Sequence, residues 1–225
     1  MSFLHLFNVP WHEVPTVWID TETTGLDPGS DEAVQVGIAR FERGKLVASL
    51  CEYVDPGMPI PEEATKLHGI ADEHVRGAVT IGELFCREDV TELLGSEEDD
   101  PITLAQPDAY NGQFDRAFLP AFHSEWLWPW IDCLSLVRTH DKYVNGGHKL
   151  ETACKRHSID IPKAHNAECD AIAAGKLFYK IAHGVYNDYP TLGRLLYNQR
   201  IVEAGHWFDF NDWRSRQPPR KTGSA

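Results

Sequence analysis

The sequence predicts an α/β protein, a mixed β-sheet flanked by helices. Three observations carry this. Three β-rich runs come first, "TVWID", "AVQVGIARFE" and "KLVASLCEYV". Two further strand signals, in "ITLAQPDAYN" and "WPWIDCLSLVRTH", then alternate with helical spacing, and no segment repeats. The 225 residues, 42% hydrophobic and 24% charged, suit one soluble domain of ordinary size with a true core.

"TVWID" is short, apolar and β-rich, so it reads as a central strand ending near Asp20. Gly and Pro punctuate the turn "TGLDPGSDE" that follows. "AVQVGIARFE" and "KLVASLCEYV" are joined at "RG" and form an expected hairpin. Pro56, Pro59 and Pro61 break the chain before a helix around "EEATKLHGI", and a single helix is expected over "TIGELFCREDVTELL". "ITLAQPDAYN" reads as a strand that Pro107 weakens. "FDRAFLPAFHSEW" has helical spacing interrupted by Pro120, and "WPWIDCLSLVRTH" passes from a short strand into a helix. "HKLETACKRHSI" and "AECDAIAAGKLFYKIA" place apolar residues three and four apart, as amphipathic helices do. From about His183 one more helix, "TLGRLLYNQRIVEAG", precedes an aromatic-rich end.

The totals exclude several classes. No stretch has the length of a membrane span, and "MSFLHLFNVPWHEVP" lacks the basic and apolar regions of a secretory signal. Five cysteines without a C-x-x-C suggest free thiols in a reducing compartment, so a cytoplasmic location is expected. A net charge of −13 argues against a protein that coats duplex DNA, which needs a basic face. It leaves room for one that grips a few phosphates through metal ions. Residues 83–100 carry eight acids against one base and read as a solvated helix end and loop. "RSRQPPRKTGSA" carries four bases and no acid; it is most simply a solubilising tail, with a weak phosphate tether as the alternative.

Three short stretches hold candidate chemistry. "WIDTETTGLD" puts Asp20 and Glu22 two residues apart on a strand, so both carboxylates leave one face and Thr21 the other. Like charges side by side repel unless a cation sits between them, and oxygen ligands favour Mg²⁺ or Mn²⁺ over zinc. "YNGQFDRAF" places Asp115 in the first turn of a helix after a strand. "HNAECD" offers Asn166 as a helix cap, with Glu168 and Asp170 in the first turn and His165 just outside. Each stretch taken alone is equally an ordinary turn or helix start.

Together, "DTETTG", "NGQFD" and "HNAECD", with "KLHGI" and "WIDCLSL" between them, resemble the exonuclease motifs of the DEDD superfamily. The histidine five residues before the last aspartate is that of its DEDDh branch. Relatives include the proofreading subunit of bacterial replicative polymerase, RNase T and oligoribonuclease. The resemblance runs from about Val17 to about Ala182. It implies an RNase H-like fold, a five-stranded mixed sheet of order 3-2-1-4-5 with strand 2 antiparallel. It divides the chain into an extension (1–15), an exonuclease domain (16–183) and a C-terminal helix with an aromatic and basic tail (184–225). It implies that Asp20, Glu22, Asp115 and Asp170 hold two divalent cations, Mg²⁺ with Mn²⁺ able to substitute. Asp20 would bridge both ions, Glu22 and Asp170 would complete one site, and Asp115 would support the other. His165 would be the general base, which suits a group titrating near neutrality.

The resemblance also assigns substrate contacts. Thr23 would meet the terminal nucleotide through its N–H, Leu26 would wedge against the last base, and His68 and Phe114 would lie close by. The expected activity is metal-dependent 3′→5′ hydrolysis of single-stranded ends, releasing 5′-mononucleotides, with DNA favoured and RNA open. The alternative is a catalytically silent end-binding subunit on the same fold; a silent binder has no need of His165. An aspartyl phosphatase would show "DxDxT" where this chain has "DTET". A homodimer is compatible with the family, and the tail contains no peptide resembling a clamp or polymerase ligand. Trp126, Trp128 and Trp130 alternate in "EWLWPWIDCL", a spacing that favours packing or an oligomer contact over a base-stacking platform. "GHWFDFNDW" poses the same choice and leaves it open.

Overall fold

The computed structural model describes residues 7–95, 106–119 and 130–215, the last eleven as backbone only. The readings on Trp126, Trp128, Pro120, the acidic run after Gly95, the "GHWFDFNDW" side chains and the tail from residue 216 lie outside the described residues. β1 (Thr16–Thr23), β2 (Ala33–Glu42), β3 (Lys45–Tyr53), β4 (Gln106–Ala109) and β5 (Ile131–Asp132) form one sheet in the order β3-β2-β1-β4-β5. β2 runs antiparallel to both β1 and β3, while β4 is parallel to β1 and β5 to β4. This is the expected fold.

β1 is apolar on both faces because both faces are covered. Trp18 packs with Phe41 and Phe178 in one core, while Val17 and Ile19 join Val36, Ile38, Leu84 and Val90 in the other. The first core lies under α6 (Cys133–His140), α7 (Leu150–Arg156), α8 (Ala167–Tyr186) and α9 (Leu192–Ser215). The second lies under α3 (Ile81–Leu84), α4 (Glu88–Leu94) and the end of α5 (Gly112–Ala117). Two short helices, α1 (Glu62–His68) and α2 (Asp72–Val75), follow the hairpin. Arg43 and Gly44 both have positive φ, 50° and 77°, so the two-residue turn matches the strand twist. Leu192, Leu195 and Leu196, together with Trp11 and Val14 from the neighbouring N-terminal segment, which Leu192 meets by donating its N–H to the Val9 carbonyl at 2.9 Å, enter the first core beside α8.

Two expectations change. β1 continues past Asp20 to Thr23, because β2 keeps pairing with it as far as Ala33. The single helix over 80–94 is two, α3 and α4. Arg87 is extended at their junction (φ −71°, ψ 141°), and its guanidinium bridges Glu52 and Asp89. That anchor to β3 replaces one turn of helix, while Leu84 and Val90 still reach the core. Pro107 is tolerated in β4 because β5 begins pairing only opposite Asp108. Trp130 is buried in the second core, so this tryptophan packs. Among the described residues all five cysteines are free, and no helix is long and apolar enough to cross a membrane.

Candidate active site

The site forms where the end of β1 meets the start of α8. Strand periodicity turns Asp20 and Glu22 toward the face that α8 covers, together with Trp18. Gly37 in β2 pairs with Asp20, and a Cβ built there would lie 2.1 Å from the carbonyl carbon of Ala167. Only glycine lets the helix start rest directly on the strand. Gln35, paired with Glu22 and buried, fixes that contact: its Oε1 accepts from the Ala167 N–H at 3.1 Å and from Asn166 Nδ2 at 3.3 Å. Asn166 caps the helix as expected, its Oδ1 accepting the Cys169 N–H.

This docking carries Asp170, one turn into α8, against Glu22. Ligand atoms of Glu22, His165 and Asp170 all lie within 4.8 Å of one another. His165 has φ +57°, a left-handed conformation uncommon outside glycine, and its N–H donates to Asp170 Oδ2 at 3.1 Å. The five-residue interval is therefore a closed turn that sets the imidazole beside the carboxylate it precedes. His165 Nε2 also lies 3.6 Å from Glu151 Oε1 on α7.

Asp115 arrives from the opposite side. Thr21, pointing away from Asp20 and Glu22, donates both its N–H and its hydroxyl to Asp115 Oδ1, each at 3.0 Å. Four carboxyl groups thus converge in a largely buried place. Burial, with Asp115, Asp170 and Glu22 as neighbours, raises Asp20 well above the carboxylate range. Burial and the Asp170 and Asp115 charges push Glu22 up to about 8. Burial takes Asp115 to about 7 against the two Thr21 hydrogen bonds, and Asp170 to about 6 against the His165 N–H. Asp170 Oδ1 is buried with no hydrogen-bond partner. A buried carboxylate oxygen without a partner is costly, and a hard divalent cation is the ligand that oxygen donors in such a cluster fit.

The expected substrate contacts separate into two groups. Leu26 is 81% exposed at the rim, on a turn that Asp31 ties through the Asp27 N–H and the Thr24 hydroxyl. Thr23 is buried at the end of β1. His68 is buried, its Nδ1 accepting the Ile70 N–H at 3.0 Å, so its Nε2 carries the proton toward the Thr23 carbonyl at 3.3 Å. Both ring nitrogens are thus used within the protein, and burial lowers the ring's pKa. Phe114 packs at the edge of the second core with its ring centroid 4.9 Å from that of Phe118. Sequence reasoning passed over three residues that build this site, Gln35, Gly37 and Glu151, and it placed Thr21 on the opposite face without giving it a role. The one local signal was the glycine in a β-rich run, which marks a close backbone approach.

A sequence profile of the exonuclease family described under RNase T matches residues 17–178. A PolC-type DNA polymerase III of Latilactobacillus sakei is 31% identical over 191 residues, 82% of this chain and 12% of that protein. A PolC-type DNA polymerase III of Streptococcus mutans is 29% identical over 194 residues, 78% of this chain and again 12% of its own length. The chain therefore spans about an eighth of these relatives. Among solved structures, Exonuclease X in complex with 5′-overhanging duplex DNA superimposes with a TM-score of 0.62 at 22% identity. That match covers 82% of this chain and 98% of that one. A zinc-bound complex of Escherichia coli exonuclease I with single-stranded DNA gives 0.63 at 18% identity, over 78% and 41% of the two chains. At these identities the structural matches show a shared fold. The family match, the strand order and the converging carboxylates lead to one conclusion: the chain belongs to the exonuclease family, on the RNase H-like fold of the DEDD 3′→5′ exonucleases.

Proposed function

We propose that the protein is a metal-dependent 3′→5′ exonuclease that shortens single-stranded nucleic acid, DNA by preference, and releases 5′-mononucleotides. The observation that carries this is the convergence of four carboxyl groups on one buried point, with Asp170 Oδ1 partnerless and His165 beside it. Asp20, Glu22, Asp115 and Asp170 would hold two divalent cations, Mg²⁺ or Mn²⁺, which supply charge neutralisation at a scissile phosphate and acidify water. The chain's own groups do the rest. His165 accepts the proton of the attacking water at its imidazole, and Glu151, 3.6 Å from Nε2, favours the imidazolium that results. Thr23 and Leu26 position the terminal nucleotide, Leu26 by stacking that ignores base identity. His68 holds the Thr23 carbonyl, and Phe114 supports the wall behind it. The preference for DNA rests on the named polymerase relatives and the DNA-bound fold neighbours.

The test is digestion of a 5′-labelled single-stranded DNA 12-mer with Mg²⁺, with a matched RNA strand alongside. Stepwise shortening of the labelled strand with release of 5′-mononucleotides is expected, and EDTA or Asp20→Ala should abolish it. Equal release by wild type and Asp20→Ala, or release that persists in EDTA, overturns the reading.

A further inference from the structure

The molecule is acidic overall, yet one segment beside the site is not. Residues 138–157 hold five Lys and Arg against two acids, with three of the chain's eleven histidines, in a protein of net charge −13. Arg138, Lys142, Lys149 and Lys155 are exposed, and none of them forms an ion pair among the described residues. A chain so acidic must concentrate any attraction for phosphate locally, because long-range repulsion works against it elsewhere.

This segment comprises the end of α6, the loop 141–149 and α7, and the loop has a fixed base and a bare tip. At the base, the buried Asp141 carboxylate accepts from His140 Nδ1 at 2.7 Å, from His157 Nε2 at 3.0 Å and from the Arg156 guanidinium. Arg156 also donates to the Gly147 carbonyl at 2.9 Å, and His148 Nε2 donates to the Asp141 carbonyl at 3.1 Å. The Tyr110 hydroxyl ties the His148 carbonyl to the core. At the tip Tyr143 is 91% exposed, the highest among the large hydrophobic side chains described, with the Lys142 ammonium 5.7 Å from its ring centroid. A rigid base holding an unburied aromatic ring under a cation has no packing purpose.

The loop also leads into the site. Lys149 is the cap residue of α7, and two residues later Glu151 stands 3.6 Å from His165. The eight residues from Tyr143 to Glu151 reach at most about 28 Å, so the tip lies within a few nucleotides of the catalytic point. We propose that residues 142–149 form a docking ridge for the single strand upstream of its 3′ end. Tyr143 stacks on one base, and Lys142 and Lys149 contact the phosphates that flank it. Stacking on an exposed ring selects a single strand, because a duplex offers no free base face, and it tolerates every base. This inference rests on the nuclease reading for the position of the 3′ end.

Two substrates separate the ridge from the catalytic point, a dinucleotide too short to reach it and a 12-mer long enough to cross it. Tyr143→Ala should lower the 12-mer-to-dinucleotide ratio of kcat/KM by roughly five-fold to a hundred-fold, the usual range for one lost stack. Lys142→Ala and Lys149→Ala should each flatten the salt dependence of 12-mer binding by about 0.7 in the slope of log K against log salt. Fluorescence anisotropy of the 12-mer in Ca²⁺ reads the same contacts without turnover. Reduced binding by Tyr143→Ala would support the ridge even if the wild type cleaved neither substrate, a result that would remove only the nuclease reading. An unchanged ratio and unchanged anisotropy in a folded Tyr143→Ala protein overturn the ridge while leaving the nuclease reading intact.

Discussion

Thr21 holds Asp115 twice, its backbone N–H and its hydroxyl both meeting Oδ1 at 3.0 Å across 94 residues of sequence. One carboxylate oxygen is thereby fixed in place. Thr21→Val keeps the shape and the N–H but removes the hydroxyl. A hydrogen bond to a charged group contributes about 1.5–3 kcal/mol. The Mg²⁺ concentration giving half-maximal hydrolysis should therefore rise by roughly ten-fold or more, with the melting temperature lowered by several degrees. A metal titration of activity checks this, and an unaltered midpoint would show that the hydroxyl does not organise Asp115.

Metal-free protein should lose stability as pH rises. Glu22, Asp115 and Asp170 have folded-state pKa values of about 8, 7 and 6, all above ordinary carboxylate values near 4. A raised folded pKa contributes stability that is complete below the unfolded value and is lost as pH climbs through the folded one. In EDTA the melting temperature should accordingly fall between pH 5 and pH 8. Mg²⁺ should restore it by an increment that grows with pH. Glu22→Gln, which cannot ionise, should melt higher than wild type in EDTA at pH 8 while losing activity. A flat EDTA profile over that window would remove the electrostatic account of the cluster.

His165 and Asp170 lie side by side and should fail differently. His165→Ala removes a proton acceptor and should cut kcat by about 10²- to 10⁴-fold with little change in Mn²⁺ affinity measured by calorimetry. Asp170→Ala removes the partnerless buried oxygen and should weaken both. Equal loss of Mn²⁺ affinity in the two variants contradicts this division.

Gly37 should accept no side chain. A Cβ 2.1 Å from the Ala167 carbonyl carbon forces α8 off β2, and overpacking of this kind costs about 1–3 kcal/mol. Gly37→Ala should melt several degrees lower and lose activity. Gly82→Ala, where nothing lies within 4 Å in a helix, should match or exceed wild-type stability. Comparable melting of the two variants would contradict the close approach.

The parts legible in sequence are those that short-range geometry encodes. Asp20 and Glu22 share a face because strands repeat every two residues, and "RG" turns a hairpin because both φ values there are positive. Thr21 and Gln35 were not legible as site builders, because each acts on a partner far along the chain, and Glu151 has the ordinary setting of a first-turn helix acid. Gln35 grips Ala167 at a separation of 132 residues, and no period in a strand announces it. The break between α3 and α4 failed for the same reason. Its cause is Glu52 on another element, which outcompetes a helical spacing that looks continuous.

The 20-residue helix α8 carries Asp170 in its first turn and runs the depth of the first core, burying Ala171, Ala174, Leu177, Phe178 and Ile181. The backbone that carries Asp170 is therefore anchored to the centre of the protein, where opening is slow. His165 sits outside the helix, half-exposed, on the turn-rich approach, where motions of nanoseconds to microseconds are usual. Amide hydrogen exchange should divide the motif at Asn166, with slow exchange within α8 and fast exchange over 162–164. On the proposed mechanism the proton acceptor would thus sit on a fast segment, and the carboxylate beside it on a slow one.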